Sequence, residues 1–227
     1  MRFPPVLCLA ALALGAAARA GSIVGTVTAR GPAGAEAAAG GGAYESHRYR
    51  LAERVDYDHL ADFVVYVDQA VNDPALPPPA EVTVTQRNVS FEPHVLPIVV
   101  GTTVRWPNKD TIFHNVFSMS DAKPFDLGMY TKDKEKVPEL KFDQLGRVDV
   151  YCSIHSQMHC IILVLPSAFF ARSDAHNHYA IRGLPAGTYW VKAWQERMPA
   201  RRIAVRVPAA GEVRQDFTLG LNDLPKY

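Results

Sequence analysis

At 227 residues the chain has room for one large domain or two small ones, and not for a multidomain machine. A composition of 48% hydrophobic and 21% charged residues supplies enough apolar material for a buried core and excludes wholesale disorder. The formal net charge of +1 leaves no clustered basic excess to meet phosphate, which argues against nucleic acid as a partner.

Residues 1–20 differ from the rest. Arg2 supplies a positive start, Val6 to Ala18 is an apolar run, and Ala18-Arg19-Ala20 places small residues where a signal peptidase reads them. A secretory signal peptide cleaved after Ala20 is expected, and with it a periplasmic or secreted protein. The apolar run is shorter than the ~20 residues that span a bilayer, and no later segment is long and apolar enough, so no integral membrane segment is expected after cleavage. Cys8 lies inside the apolar core, where a lipoprotein signal would not place it. Cys152 and Cys160 remain, and in an oxidising compartment two cysteines suggest a disulfide.

Ser22 to Ala29 is β-branched and alternating, and predicts a strand; Ala29 to Ala43 is a Gly/Ala/Pro-rich loop. Tyr44 to Leu60 carries Leu51, Val55 and Leu60 at loosely helical spacing, which predicts a short helix. Phe63 to Val67 predicts a buried strand and Asn72 to Ala80 a Pro-rich boundary. Short strands then recur at Val82–Gln86, Val95–Val100, Thr102–Trp106, Asn115–Ser118, Val148–Tyr151 and Ile161–Leu165, a spacing that predicts an all-β antiparallel sandwich or barrel. Past Pro166, a turn at Asn177, the phrase Leu184-Pro185-Ala186-Gly187-Thr188-Tyr189 and the alternating stretch Val191 to Trp194 predict a second small sandwich, completed by Arg202–Val207 and Val213–Leu219.

One cluster of side chains carries chemistry. His114 stands upstream, and Cys152, His155 and Met158 follow within one short segment. A thiolate, two imidazoles and a thioether make a donor set suited to copper cycling between two oxidation states; zinc prefers four strong ligands and hard ions prefer oxygens. Other readings stay open at this level: Cys152 bonded to Cys160, His114 as a hydrogen-bonded core residue, Met158 as packing. His159 and Cys160 are neighbours on a strand and point to opposite faces, which argues against a Cys/His zinc site. His176-Asn177-His178 reads as a turn with exposed imidazoles, Thr131 to Lys136 as a solvated loop and Asp126 as a turn residue. No paired carboxylates, nucleophile–base arrangement or phosphate loop appears, so no enzymatic activity is expected.

Residues 81–166 resemble the plastocyanin, amicyanin and pseudoazurin branch of the cupredoxins, through Phe91-Glu92-Pro93, the run from Gly101 to Asp110, His114-Asn115-Val116 and Cys152-x2-His155-x2-Met158. The resemblance implies a Greek-key β-sandwich over 79–166 holding one type 1 copper ion. Its ligands would be His114, Cys152, His155 and Met158, with Asn115 bracing the ligand loops by hydrogen bonding. Ile154 departs from the pattern, in which Pro commonly stands between Cys and His. The stretch from Ser173 to Leu219 resembles the carboxypeptidase regulatory-like, transthyretin-like sandwich, and the first two strands look like the start of that same fold. A split domain over 21–78 and 167–227 is thereby implied, and the two-part chain resembles plastocyanin-like proteins associated with methylamine utilisation. The expected function is a blue-copper carrier of single electrons, meeting a redox protein such as a dehydrogenase or cytochrome near His155. A copper-handling or interaction module on a cupredoxin scaffold is the alternative.

Overall fold

The computed structural model describes residues 20–31, 55–71 and 81–220. The signal-peptide reading, most of the loop over 29–43 and the Pro-rich stretch over 72–80 lie outside the described residues, as does the expected helix before residue 55. Residues 55–60 form a turn and no helix. The reason is local: Asp56 accepts the Asp58 N–H at 3.2 Å and meets His59 Nδ1 at 2.7 Å, and such side-chain bonds compete with a helical backbone. Among the described residues no helix is long and apolar enough to cross a membrane.

All regular structure among the described residues is β. The first two strands are β1 (Gly21–Arg30) and β2 (Val64–Val67). The middle of the chain supplies β3 (Val82–Thr83), β4 (Thr85–Arg87), β5 (Ser90–Glu92), β6 (Val95–Val99), β7 (Thr103–Arg105), β8 (His114–Ser118), β9 (Phe125–Tyr130), β10 (Glu139–Lys141), β11 (Gly146–Tyr151) and β12 (His159–Leu165). The last third adds β13 (Phe170–Arg172), β14 (His178–Leu184), β15 (Gly187–Gln195), β16 (Met198–Val207), β17 (Gly211–Arg214) and β18 (Phe217–Gly220).

These strands form stacked layers. β1 lies between β14 and β17 and also pairs with β18, while β2 lies between β13 and β15, which continues to β16. Both early strands thus pair with the end of the chain. The middle strands form a five-stranded sheet in the order β6-β12-β11-β8-β9, faced by β10-β7-β3. The expected strand over Val82–Gln86 is interrupted at Val84 because its halves take different partners: β3 runs parallel to β7, and β4 turns back on β5.

Alternation along the strands distributes the apolar side chains among three cores. Ile23 and Val27 of β1 meet Phe63, Val65 and Val67, together with Tyr179, Val191 and Phe217. Trp106, Phe142, Val116, Val150 and Ile162 fill a second core among the middle strands. The other faces of β2 and β12 meet in a third, where Val64, Tyr66 and Trp194 pack with Val95, Ile161, Leu163 and Leu165. β12 is therefore covered on both sides, Cys160, Ile162 and Val164 facing one core and Ile161, Leu163 and Leu165 the other. Each such aliphatic side chain contributes about 1.5–3 kcal/mol when removed from water. Gly25 is required where β1 crosses the C-terminal segment, since a Cβ there would collide with the Gln215 carbonyl.

Two expectations are amended. Asp126 belongs to β9, not to a free turn; the strand bulges at Gly128, whose φ is 68°, and the Asp126 carboxylate accepts the Gly128 N–H at 2.8 Å inside that bulge. The turn carrying His176 and His178 exposes both rings, but the strands beside it belong to different sheets, β13 pairing with β2 and β14 with β1.

Candidate metal centre

The middle sheet brings three donor atoms together. His114 opens β8, Cys152 directly follows β11, and His155 lies in the loop that leads to β12. Because β11 sits between β8 and β12, the end of one strand and the beginnings of its two neighbours meet at the same edge of the sheet. The loop is closed by its own backbone: the Met158 N–H donates to the His155 carbonyl at 2.9 Å, and the Cys152 N–H to the Met158 carbonyl at 3.3 Å.

His114 Nδ1 lies 3.1 Å from His155 Nδ1, and Cys152 Sγ lies 3.7 Å from that same nitrogen. Donors each about 2.0–2.3 Å from a shared ion stand roughly 3–4 Å apart, so the spacing fits one ion. His114 is fully buried, Cys152 is buried, and His155 is half-buried. Met158 is also fully buried and belongs to the same core as Cys152. Neither Cys152 nor Cys160 is in a disulfide. Cys160 instead faces the core on β12, and burial pushes its thiol far above the ordinary range, so it behaves as a small hydrophobe.

Surrounding hydrogen bonds decide which atoms face inward. His114 Nε2 stands 2.8 Å from Asp110 Oδ2, and a carboxylate only accepts, so the ring hydrogen sits on Nε2 and the Nδ1 lone pair faces Cys152 and His155. Asp110 is itself held by the N–H groups of Asn88 at 2.8 Å and Val89 at 3.0 Å. Burial opposes its ionisation, and the hydrogen bonds from Val89, His114 and Asn88 outweigh that, keeping the carboxyl below the ordinary carboxylate value. The Asn115 backbone N–H points at Cys152 Sγ from 3.4 Å, while its side-chain amide donates to Asp126 Oδ1 at 2.7 Å. Asn115 thus reaches the thiol with its backbone and braces β9 with its side chain.

Each of the four residues singled out in the sequence lies at this end of the middle sheet, and three offer donor atoms within 4.8 Å of one another. Two contributors escaped the sequence reading. Asp110 closes the run from Gly101 that carried the resemblance, but no role was assigned to it; its place four residues before His114 was the available signal. Asp126 was hidden by the bulge.

No protein-family model matches the chain, and no curated protein matches it. Among solved structures it is similar to a copper-containing nitrite reductase from Thermus scotoductus, at 30% identity over 42% of this chain and 25% of that one, with a TM-score of 0.35. A reduced amicyanin variant matches at 28% identity over 37% of this chain and 81% of its own, with a TM-score of 0.33. A purple cupredoxin from Nitrosopumilus maritimus matches at 27% identity over 37% of this chain and 98% of its own, with a TM-score of 0.32. The chain spans about a quarter of the length of the reductase.

Proposed function

We propose that this protein is an exported carrier of single electrons in which His114, Cys152 and His155 would hold one copper ion, with Met158 as a further, weaker donor. The observation that carries this reading is the convergence of two Nδ1 atoms and a cysteine sulfur, with the first imidazole locked by Asp110 in the tautomer a metal needs. When bound there, copper supplies a one-electron couple, which a mixed thiolate, imidazole and thioether set suits. The chain's own residues keep the donors in place. His114 is fixed from behind by Asp110, Cys152 by the Asn115 N–H, and the loop by its two backbone hydrogen bonds, so the donors have little freedom to rearrange.

Beside the two histidines in sequence stand exposed apolar side chains: Ile112, Phe113 and Ile154, each about half exposed. Such a rim suits brief encounters with a redox protein, a dehydrogenase or a cytochrome, near His155. The layers built from β1, β2 and the last third of the chain, read as a split carboxypeptidase regulatory-like sandwich over 21–78 and 167–227, brace the 79–166 unit. No catalysis is assigned to them.

Purified protein given Cu(II) is expected to develop an intense visible thiolate-to-copper band that Cys152→Ser abolishes. A colourless protein that takes zinc in preference to copper at this cluster overturns the reading. A coloured protein that passes Cu(I) to an acceptor yet exchanges no electrons with small redox reagents replaces the carrier role with copper handling.

A further inference from the structure

Away from the first cluster, at the junction between the middle sheet and the layers that brace it, His94, His159 and Glu196 bring a second set of donor atoms within 4.8 Å of one another. They come from three places in the fold. His94 lies between β5 and β6, His159 opens β12, and Glu196 lies in the turn from β15 to β16. All three are partly open to solvent, with side-chain exposures of 41% for His94, 25% for His159 and 21% for Glu196, so an ion has a path in.

The hydrogen bonds around His94 pose a chemical demand. His94 Nδ1 lies 3.2 Å from the His159 carbonyl, which only accepts, and a ring hydrogen on Nδ1 satisfies it. In a neutral ring Nε2 then presents a lone pair, and it faces Glu196 Oε2 at 2.8 Å. A second ring proton shared with Glu196 satisfies that contact, and so does a metal ion held by both atoms. On the other side of the group, His159 Nε2 meets Asp149 Oδ1 at 2.9 Å, so each imidazole stands against a carboxylate. Arg147 grips that second carboxylate with two N–H groups, at 2.8 and 2.7 Å, and holds it in position. Acceptors that orient imidazoles from outside are the usual surroundings of histidines that bind a metal.

We propose that His94, His159 and Glu196 form a second site for a divalent transition ion, Zn(II), with Asp149 and the His159 carbonyl as the groups that orient the rings. Two imidazoles and one carboxylate with an open side form a zinc donor set; there is no sulfur to select a softer ion and too few oxygens for calcium or magnesium. An ion held there ties the β15–β16 turn to the first residue of β12, pinning the junction above the third core. This inference stands whether or not the first cluster holds copper.

The test separates the two clusters. Full-length protein carrying Cys152→Ser is dialysed against Zn(II), the bound metal is counted, and its coordination is read by zinc X-ray absorption. The expected result is one zinc in a shell of nitrogen and oxygen, a rise in melting temperature on zinc addition, and an affinity lower by at least about tenfold when Glu196→Gln or His94→Gln is added. Should a variant fail to fold, NMR of the parent protein decides: zinc is expected to shift the ring resonances of His94 and His159. Absence of bound zinc in Cys152→Ser, unchanged affinity in both added variants, or unmoved His94 and His159 resonances overturns the proposal and leaves a proton between His94 and Glu196.

Discussion

Asp110 does two jobs with one carboxylate. It fixes the His114 ring, and it receives the N–H groups of Asn88 and Val89, whose φ angles are 53° and 56°. Those two residues form the tight turn between β4 and β5, and a β-branched residue in the left-handed region costs about 1–3 kcal/mol, which the paired hydrogen bonds help to offset. Asp110→Asn keeps the size and removes the charge. Copper affinity is expected to fall about 10- to 100-fold, with the visible band retained in the loaded protein. Competition against a chelator measures this, and an affinity equal to that of the parent removes Asp110 from the account of the site.

At the scale of the element, β12 shows what an unbroken apolar run means. Ile161 and Ile162 are both fully buried, one toward the bracing layers and one toward the core beneath the donor cluster. Either Ile→Ala change is expected to cost about 2–5 kcal/mol in denaturant unfolding. A cost below about 1 kcal/mol for Ile161→Ala would show that the third core is not a packed interior. The strand over Ile161–Leu165 was legible in the sequence, and continuous hydrophobicity of this kind goes with cover on both faces. What covers the second face was not legible, since β2 and Trp194 reach it from distant parts of the chain. β9 and β10 escaped for the opposite reason: their largely exposed residues show no clear apolar alternation. The donor loop was the most readable part of the site, because Cys152, His155 and Met158 lie in one turn whose spacing survives without tertiary information. Asp110 and Asp126 act through partners that only the fold brings near.

The whole molecule depends on β1 and β2 closing layers whose remaining strands follow the donor-bearing segment. Residues 167–227 expressed alone lack both, leaving Tyr179, Val191 and Phe217 without their cover from Ile23, Val27 and Val65. No cooperative unfolding transition is expected for that fragment; a stable monomer with a sharp transition would show that the early strands are dispensable. Removing 21–78 from the full chain is expected to leave the second core intact while uncovering Val95, Ile161, Leu163 and Leu165.

That pairing also sets an order of events during synthesis. A chain leaving the ribosome or a translocation channel presents β1 and β2 first, yet their partners β13, β14, β15, β17 and β18 follow the entire donor-bearing segment. The middle sheet can close while those partners are still being made, and its ladders span shorter stretches of chain. β1 and β2 meanwhile present unpaired edges with Ile23, Val27, Val65 and Val67 uncovered, a template for joining another chain. β1 and β2 therefore appear before the donor-bearing segment and are paired only after it, and the interval of greatest aggregation hazard is set by how quickly residues 81–166 are delivered and folded.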